Sequence, residues 1–297
     1  MKAVITGADG FVGKHLNNRL SKEALDVYPL TRKDVDLRDK DKAYEVINHI
    51  RPDYIFHLAA SAFVKFSFED PSYVINNNIN SMLNILEAVK NSGSETTIHF
   101  AGTSEEYGLV NTKEPLTEEA KFHPLSPYAV SKITCDYLCY QYNKSYNIKT
   151  IRTRAFNHTG YGRGEMYAES NFAKQIIKIK KGLQEPVIKV GNLEAVRDYS
   201  DVRDIVGAYW LAANKCQPGS YNISSGNIMS IKEVLILLMS LAKIEAEIRI
   251  DSSRMRVSDV SYLAANSNKF RKATGWKPKY SIRETLSEVL RYWEERL

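Results

Sequence analysis

Cysteine is scarce. Only Cys135, Cys139 and Cys216 occur among 297 residues. They form no CxxC pair, and no histidine stands near them at metal-ligand spacing, so nothing points to a zinc ribbon or a dithiol motif. Free, buried thiols in a reducing compartment are the expected state. Long apolar runs are missing as well: no stretch approaches the ~18–20 apolar residues of a membrane span. The opening 1-MKAVITGADG-10 enters a strand and a glycine turn with no apolar leader. A cytoplasmic protein with no membrane partner is expected. Dense basic runs are also lacking. The formal charge is +6 and the pI about 9.0, yet nothing exceeds 178-KIKK-181. A dispersed excess of this kind does not suggest nucleic acid, but it suits an anionic small molecule such as a nucleotide.

What is present is the composition of a folded protein, 43% hydrophobic and 26% charged, large enough for one big domain or two intimate ones. Strand-like apolar runs alternate with helical periods. The spacing predicts strands at 4–6, 26–30, 53–60, 98–102 and 149–156, with helices at 11–22, 40–50, 71–93 and 127–147 between them. That order argues for an α/β fold of the Rossmann type, a doubly wound parallel sheet. After Thr159 the rhythm changes, and Gly160, Gly162 and Gly164 loosen the chain. A helix around 170–181, short strands near 187–190 and helices near 230–243 and 282–296 suggest a smaller, discontinuous α/β substrate domain. The expected division is 1–157, with about 198–226 returning, against 158–197 and 227–297. The crevice between the two parts is the expected ligand site.

The stretch 7-GADGFVG-13 follows the first strand and opens the first helix. Gly7 suits the tight turn, Gly10 allows backbone to approach a pyrophosphate, and Gly13 allows the helix to pack closely on the sheet. The helix then faces phosphate with its positive end. The second strand ends 30-LTRKD-34, where an acid would favour NAD. Thr31, Arg32 and Lys33 instead suit a 2′-phosphate, so NADPH/NADP is the expected cofactor, with NADH possible. Asp36 and Leu37 follow and border the adenine.

Two further stretches carry chemistry. In 128-YAVSK-132, Tyr128 and Lys132 stand at i,i+4 on one helix face. A free phenol titrates near pH ~10, and an ammonium beside it would lower that value. In 102-GTSEEYG-108, Thr103 and Ser104 stand beside Glu105 and Glu106 at the end of an apolar run. Thr103, Ser104 and Glu105 read as site residues there, and Glu106 as turn surface.

With these residues in view the chain resembles the extended short-chain dehydrogenase/reductase family over essentially its whole length. The matching pieces are 6-TGADGFVG-13, 57-HLAA-60, 78-NINSMLNILEA-88, 103-TSEEYG-108, 126-SPYAVSK-132, 156-FNHTG-160 and 197-RDYSDVRD-204. Ser81-Met82 stands where the family commonly shows Gly-Thr. The resemblance implies that Phe11, Val12, Leu58, Ala59, Ala60, Asn78, Phe156 and His158 join the glycines, Tyr128 and Lys132 at the cofactor. It implies that Tyr128 gives a proton, that Thr103 holds the same oxygen, that Lys132 tunes Tyr128, and that Glu105 is an acid–base candidate.

Within the family, 152-RTRAFNHTGYGRGE-165, 171-NFAKQI-176, the segment 186–210 and 254-RMRVSDV-260 are similar to the GDP-4-keto-6-deoxy-D-mannose reductases. Their relatives are the GDP-mannose 4,6-dehydratases. A GDP-sugar substrate is implied, with Arg197 and Arg256 on its diphosphate. Asp259 is implied at the ribose, and Asn157 and Asn171 at the sugar or phosphate. Lys189 and Asn192 are candidates for the base pocket.

Reduction of a C4 ketone to give GDP-D-rhamnose is the expected reaction. The alternatives are dehydration, another nucleotide-sugar reduction or epimerisation, and a sensor that binds NADP without turnover. The short run 31-TRKDVDLRDK-40 has no room for the arginine-containing loop of the dehydratases. The sensor reading sits poorly with the presence of Thr103, Tyr128 and Lys132 together. Family members usually form homodimers through the long helix and the Tyr-Lys helix; Leu83, Leu86, Ile133 and Leu138 allow a homodimer here, or belong to the core.

Overall fold

Continuous apolar runs bounded by turn residues make strands that are covered on both faces. In the first, β1 (Lys2–Thr6), every residue after Lys2 is buried. The computed structural model describes residues 1–255 and 260–297. The chain continues through α1 (Phe11–Leu20), β2 (Asp26–Leu30), α2 (Lys40–Ile50), β3 (Tyr54–His57), α3 (Val64–Glu69), α4 (Pro71–Ser92), β4 (Thr97–Thr103), α5 (Pro127–Tyr146) and β5 (Thr150–Ala155). Then come β6 (His158–Thr159), α6 (Ala168–Lys180), β7 (Val187–Val190), β8 (Val196–Asp198), β9 (Ser200–Asp201), α7 (Val202–Lys215) and β10 (Gly219–Ile223). The last stretch holds β11 (Ile228–Ser230), α8 (Ile231–Ala242), β12 (Glu247–Ile250), β13 (Tyr262–Leu263), α9 (Asn268–Thr274) and α10 (Ile282–Glu294).

The main sheet has six strands in the order β10-β5-β4-β3-β1-β2, all parallel. The chain runs from β1 outward to β2, then returns to the other side of β1 as β3. Strand order reverses there, and the crevice outside the carboxyl ends of β1 and β3 is where such sheets bind ligands. Helices α1 and α7 pack on one face around Leu16, Val206 and Trp210. Helices α2, α4 and α5 cover the other around Ile47, Met82 and Cys139. A separate core around Phe172, Leu235 and Trp293 joins α6, α8 and α10 to β7.

The two helices that shape the site are bounded by local chemistry. Asp70 caps α4 by accepting from the Tyr73 amide, Pro71 opens it, and Gly93 ends it at φ 62°. Ser126 caps α5 through the Ala129 amide, Pro127 follows, and Asn147 ends it at φ 58°. The long helices of the first half start and stop close to where the sequence suggests. The third strand is shorter than expected, because the chain leaves the sheet after His57, where Thr6 Oγ1 accepts from the Ala59 amide over 3.2 Å. Helix α7 was not anticipated. Nine of its fourteen residues are buried, and the narrow stripe left over, Arg203, Gly207, Leu211, Asn214 and Lys215, includes a glycine and a leucine that blur its polar face.

Among the described residues no helix is long and apolar enough to cross a membrane. Leu86 is fully buried, and Leu83 and Leu138 pack against the same core. The exposed apolar side chains of α5 are instead Val130, Tyr137, Tyr140 and Tyr146.

Candidate active site

The glycine turn joins β1 to α1. Gly7 has φ +68°, and a side-chain carbon built on it would lie 2.9 Å from the Ala59 backbone. One on Gly13 would lie 2.3 Å from the Gly7 carbonyl oxygen, so the helix can approach the sheet only because that carbon is missing. Gly10 sits at the N-cap with no side-chain hydrogen bond. The first amides of α1 therefore face the crevice uncapped, which is the cradle a pyrophosphate requires. This geometry fits a dinucleotide. Phe11 begins the helix, stacked on His158 with ring centres 6.4 Å apart, while Val12 borders the catalytic cavity.

Beside the turn lies a cavity of about 240 Å³, bordered by Gly7, Arg32, Asp36, Leu37, Ala59 and Ala60. The Arg32 guanidinium donates to the Tyr73 phenol over 2.5 Å. Asp36 grips Arg38 with two oxygens, and these hydrogen bonds hold its carboxyl down at about 2. The two guanidiniums differ in their hydrogen-bond partners: Arg38 donates to an acid, whereas Arg32 donates to a neutral hydroxyl and lies close enough to Asp36 to add to the pull on it. Asn78 is placed differently from the other cofactor candidates. It is buried, accepts from the Ser61 amide at 2.7 Å and donates to Ser131 Oγ at 2.9 Å, bracing the loop after β3 against α5.

A second cavity, about 200 Å³, opens at the carboxyl ends of β4 and β5. Thr103, Ser104, Glu105, Tyr128, Lys132 and Leu58 border it on one side, and Phe156, Asn157 and His158 on the other. The Thr103 hydroxyl accepts from the Glu105 amide at 3.3 Å and sits close enough to the Tyr128 phenol to favour its ionised form. Burial pushes the Tyr128 phenol above its ordinary value; the neighbouring Tyr167 phenol and the Glu105 and Glu106 carboxyls push the same way, and only the Thr103 hydroxyl opposes them. Tyr128 is therefore held as a neutral phenol. Lys132, one helical turn further on, is buried as well, and burial lowers its own value. Its ammonium lies 4.5 Å from the centre of the Phe100 ring. His158 is pushed down to about 4, by burial first and Arg163 second. Its Nδ1 meets the Phe156 carbonyl at 3.0 Å. A carbonyl only accepts, so Nδ1 carries the proton and Nε2 is left as an acceptor.

The third cavity, about 410 Å³, continues from the second toward α6 and β7. Glu105, Asn157, Asn171, Asn192 and Arg197 border it. Asn171 lies within the first turn of α6, where its Oδ1 accepts from Arg254 at 2.8 Å. Arg197 is buried and donates to the Val196 carbonyl at 2.9 Å. Lys189 does not border this space: strand alternation buries Ile188 and Val190 on either side of it and turns Lys189 outward. The candidates Arg256 and Asp259 lie outside the described residues.

Against known proteins, the family described as GDP-mannose 4,6 dehydratase matches residues 30–289. The GDP-6-deoxy-D-mannose reductase of Pseudomonas aeruginosa is 33% identical over 297 residues, covering 99% of this chain and 97% of that protein. The chain belongs to the GDP-mannose 4,6-dehydratase family of extended short-chain dehydrogenase/reductases.

Family members of two activities align differently with it. The GDP-mannose 4,6-dehydratase of Yersinia enterocolitica is 27% identical over 346 aligned positions, covering 97% of this chain and 92% of that protein. The structure of RMD from Pseudomonas aeruginosa complexed with NADPH superimposes with a TM-score of 0.92 at 32% identity, covering 100% of this chain and 99% of that one. A Thermus thermophilus UDP-glucose 4-epimerase in complex with NAD gives 0.89 at 30% identity, with full coverage of both chains.

The structure adds residues that sequence reasoning passed over. Arg163 borders both the catalytic and the larger cavity. It lies 3.4 Å from the centre of the Tyr167 ring and 4.9 Å from that of Phe11; its buried Nε has no hydrogen-bond partner among the described residues and lies 3.6 Å from the Glu169 carboxylate. The three alternating glycines around it drew attention to chain flexibility rather than to the arginine among them. Tyr73 sits beside Arg32, 41 residues away in sequence, where no local pattern joins them. Glu106 was expected on the turn surface, yet it is fully buried. Its carboxylate turns back to accept from the Thr103 amide at 2.8 Å, and Arg154 draws it inward.

Proposed function

We propose that this protein reduces the C4 ketone of GDP-4-keto-6-deoxy-D-mannose with NADPH, giving a GDP-6-deoxyhexose, GDP-D-rhamnose. The observation that carries this reading is one of length. The alignment with the Pseudomonas reductase spans 297 positions, whereas that with the Yersinia dehydratase spans 346 and requires segments this chain lacks. One place without such a segment is 31–39, the short connection between β2 and α2.

Bound NADPH supplies a hydride; everything else in the step falls to the chain. Ketone, hydride and proton together make the alcohol, so one proton must come from the site. Tyr128, held neutral, gives it to O4. Thr103, already beside Tyr128, donates to the same oxygen and fixes the carbonyl. Lys132 lies one helical turn from Tyr128 and offsets charge left on the phenolate. Uncapped amides of α1 and Gly7, Gly10 and Gly13 hold the cofactor pyrophosphate, and Arg32 meets its 2′-phosphate. Arg163, between the two cavities, offers a fixed cation at their junction. Arg197 and Asn171 hold the substrate's phosphates, and Asn157 and Glu105 its sugar.

For this reading the chain divides into a cofactor part, 1–157 with 198–226, and a substrate part, 158–197 with 227–297. A homodimer joined across α4 and α5 is the assembly this reading favours, and the exposed Val130, Tyr137 and Tyr140 of α5 support it; light scattering on a sizing column reads it directly.

The test incubates the protein with NADPH and the keto sugar nucleotide, following cofactor absorbance and product. Conversion of GDP-mannose to the keto sugar without net cofactor use would instead establish dehydration, the second reading. Glu105 favours that second reading, since it borders both the catalytic and the larger cavity.

A further inference from the structure

Among the described residues, the acid that touches the catalytic loop without bordering its cavities is Glu106. Its place is built. Gly102 has no side chain, and a carbon there would lie 2.6 Å from Glu106 Oε1. The carboxylate occupies that gap and accepts from the Thr103 amide at 2.8 Å. Its other oxygen lies 3.2 Å from Arg154 Nε. That N–H is already directed at Asp136, also at 3.2 Å, and Asp136 is held further by Arg152 at 2.7 Å. Among the described residues no hydrogen bond reaches Glu106 Oε2. Two carboxylates thus share one guanidinium, and the one beneath the active site has the poorer share.

We propose that Glu106 is a positioning residue of the reductive site: it holds the Thr103 amide, and with it the hydroxyl that meets Tyr128, and its ionisation slows proton release from Tyr128. This rests on the reading of Tyr128 as the proton donor. The groups facing Glu106 are Asp136, Lys132 and Cys135 from α5, Arg154 from β5, and Tyr107 and Thr103 from its own segment. Tyr128 is faced by Thr103, Glu105, Glu106 and Tyr167. Burial, then Asp136, pushes the Glu106 carboxyl up to about 8, against the pull of Arg154, the Thr103 amide and Lys132. Below that value the acid is neutral, with Oε2 left to carry the proton. Above it, a negative charge opposes the one that grows on the Tyr128 oxygen during proton transfer. The same charge draws on Lys132, the cation that would otherwise offset the phenolate.

The test compares wild type, Glu106→Gln and Glu106→Asp with NADPH and GDP-4-keto-6-deoxy-D-mannose. Melting temperature and NADPH affinity serve as checks on folding. In wild type, kcat falls as pH rises through about 8. Glu106→Gln keeps an acceptor for the Thr103 amide and loses that step. Glu106→Asp keeps the charge but falls short of the amide, so kcat drops about tenfold at every pH with KM within about twofold. A step that survives in Glu106→Gln, or wild-type kcat in Glu106→Asp, overturns the proposal. A wild-type protein that consumes no NADPH with the keto sugar fails the reductase reading itself, and that failure appears before any variant is compared.

Discussion

Arg32 and Tyr73 form a pair across the cofactor crevice: the guanidinium donates to the phenol over 2.5 Å and lies 5.8 Å from the ring centre. Tyr73 is fixed in turn by the capped start of α4 and by Phe66, whose ring centre lies 6.0 Å away. An arginine whose hydrogen-bond partner is a neutral phenol has donors left for an anion. Arg32→Ala is expected to weaken NADPH by about tenfold or more, the scale of a charge-assisted hydrogen bond, and to leave NADH almost unchanged. Tyr73→Phe should give a smaller loss with the same selectivity. Fluorescence titration with both cofactors decides it, and equal losses would remove the 2′-phosphate from the account.

Tyr128→Phe removes the proposed proton donor and leaves the ring in place. The expected loss in kcat is ~10²–10⁴-fold, with NADPH affinity within about twofold of wild type. Thr103→Val should cost less, because Tyr128 still delivers the proton. Steady-state kinetics at saturating NADPH separates the two. Near-normal turnover in Tyr128→Phe would mean that another group gives the proton.

Two glycines with similar backbone angles should respond differently to alanine. Gly108 has φ +58°, and a side-chain carbon there would lie 1.8 Å from the His123 carbonyl oxygen. Gly93 has φ +62°, and among the described residues nothing lies within 4 Å of a carbon built there. Gly93→Ala carries only the left-handed strain, about 1–2 kcal/mol, whereas Gly108→Ala adds a steric cost of about 1–3 kcal/mol. Urea midpoints of the two variants test this, and equal shifts would contradict it.

Stability should depend on pH through buried groups. His57 and His99 are each held down at about 3, by burial first, and His158 at about 4. Between those values and the unfolded value near ~6.5 the unfolded chain binds more protons, so stability rises with pH across that window. Glu106 works in reverse. Its folded value is about 8, so its contribution is full below the unfolded value near ~4.3 and is lost as pH rises through about 8. Thermal melts should therefore show rising stability from about pH 4 to 6.5, then a shallow decline that Glu106→Gln abolishes. A decline that persists in that variant would assign it to another group.

The sheet, and the residues that border the candidate site, were legible because their signals are local. The glycine turn, the i,i+4 spacing of Tyr128 and Lys132, and the apolar run before Thr103 each lie within one short stretch. What escaped depends on distant partners. Glu106 reads as a turn acid until Arg154 and Asp136, brought in by β5 and α5, surround it. Tyr73 gains meaning only beside Arg32. Lys189 fails as a pocket residue because the strand register, fixed by the burial of its two neighbours, turns it outward. Helix α7 escaped for a local reason, since its solvent-side stripe is narrow and carries Gly207 and Leu211 where polar residues would mark the period.

The sixth strand of the main sheet, Gly219–Ile223, pairs with Thr150–Ala155 only after the intervening chain has built β6 to α7. During synthesis the outer edge of β5 must therefore stay open until β10 leaves the ribosome. At ~5–20 residues per second that wait lasts roughly 3–14 seconds. An unpaired parallel edge is a template for pairing with other chains, so a nascent chain stalled in this interval is the form of this protein most in need of a chaperone.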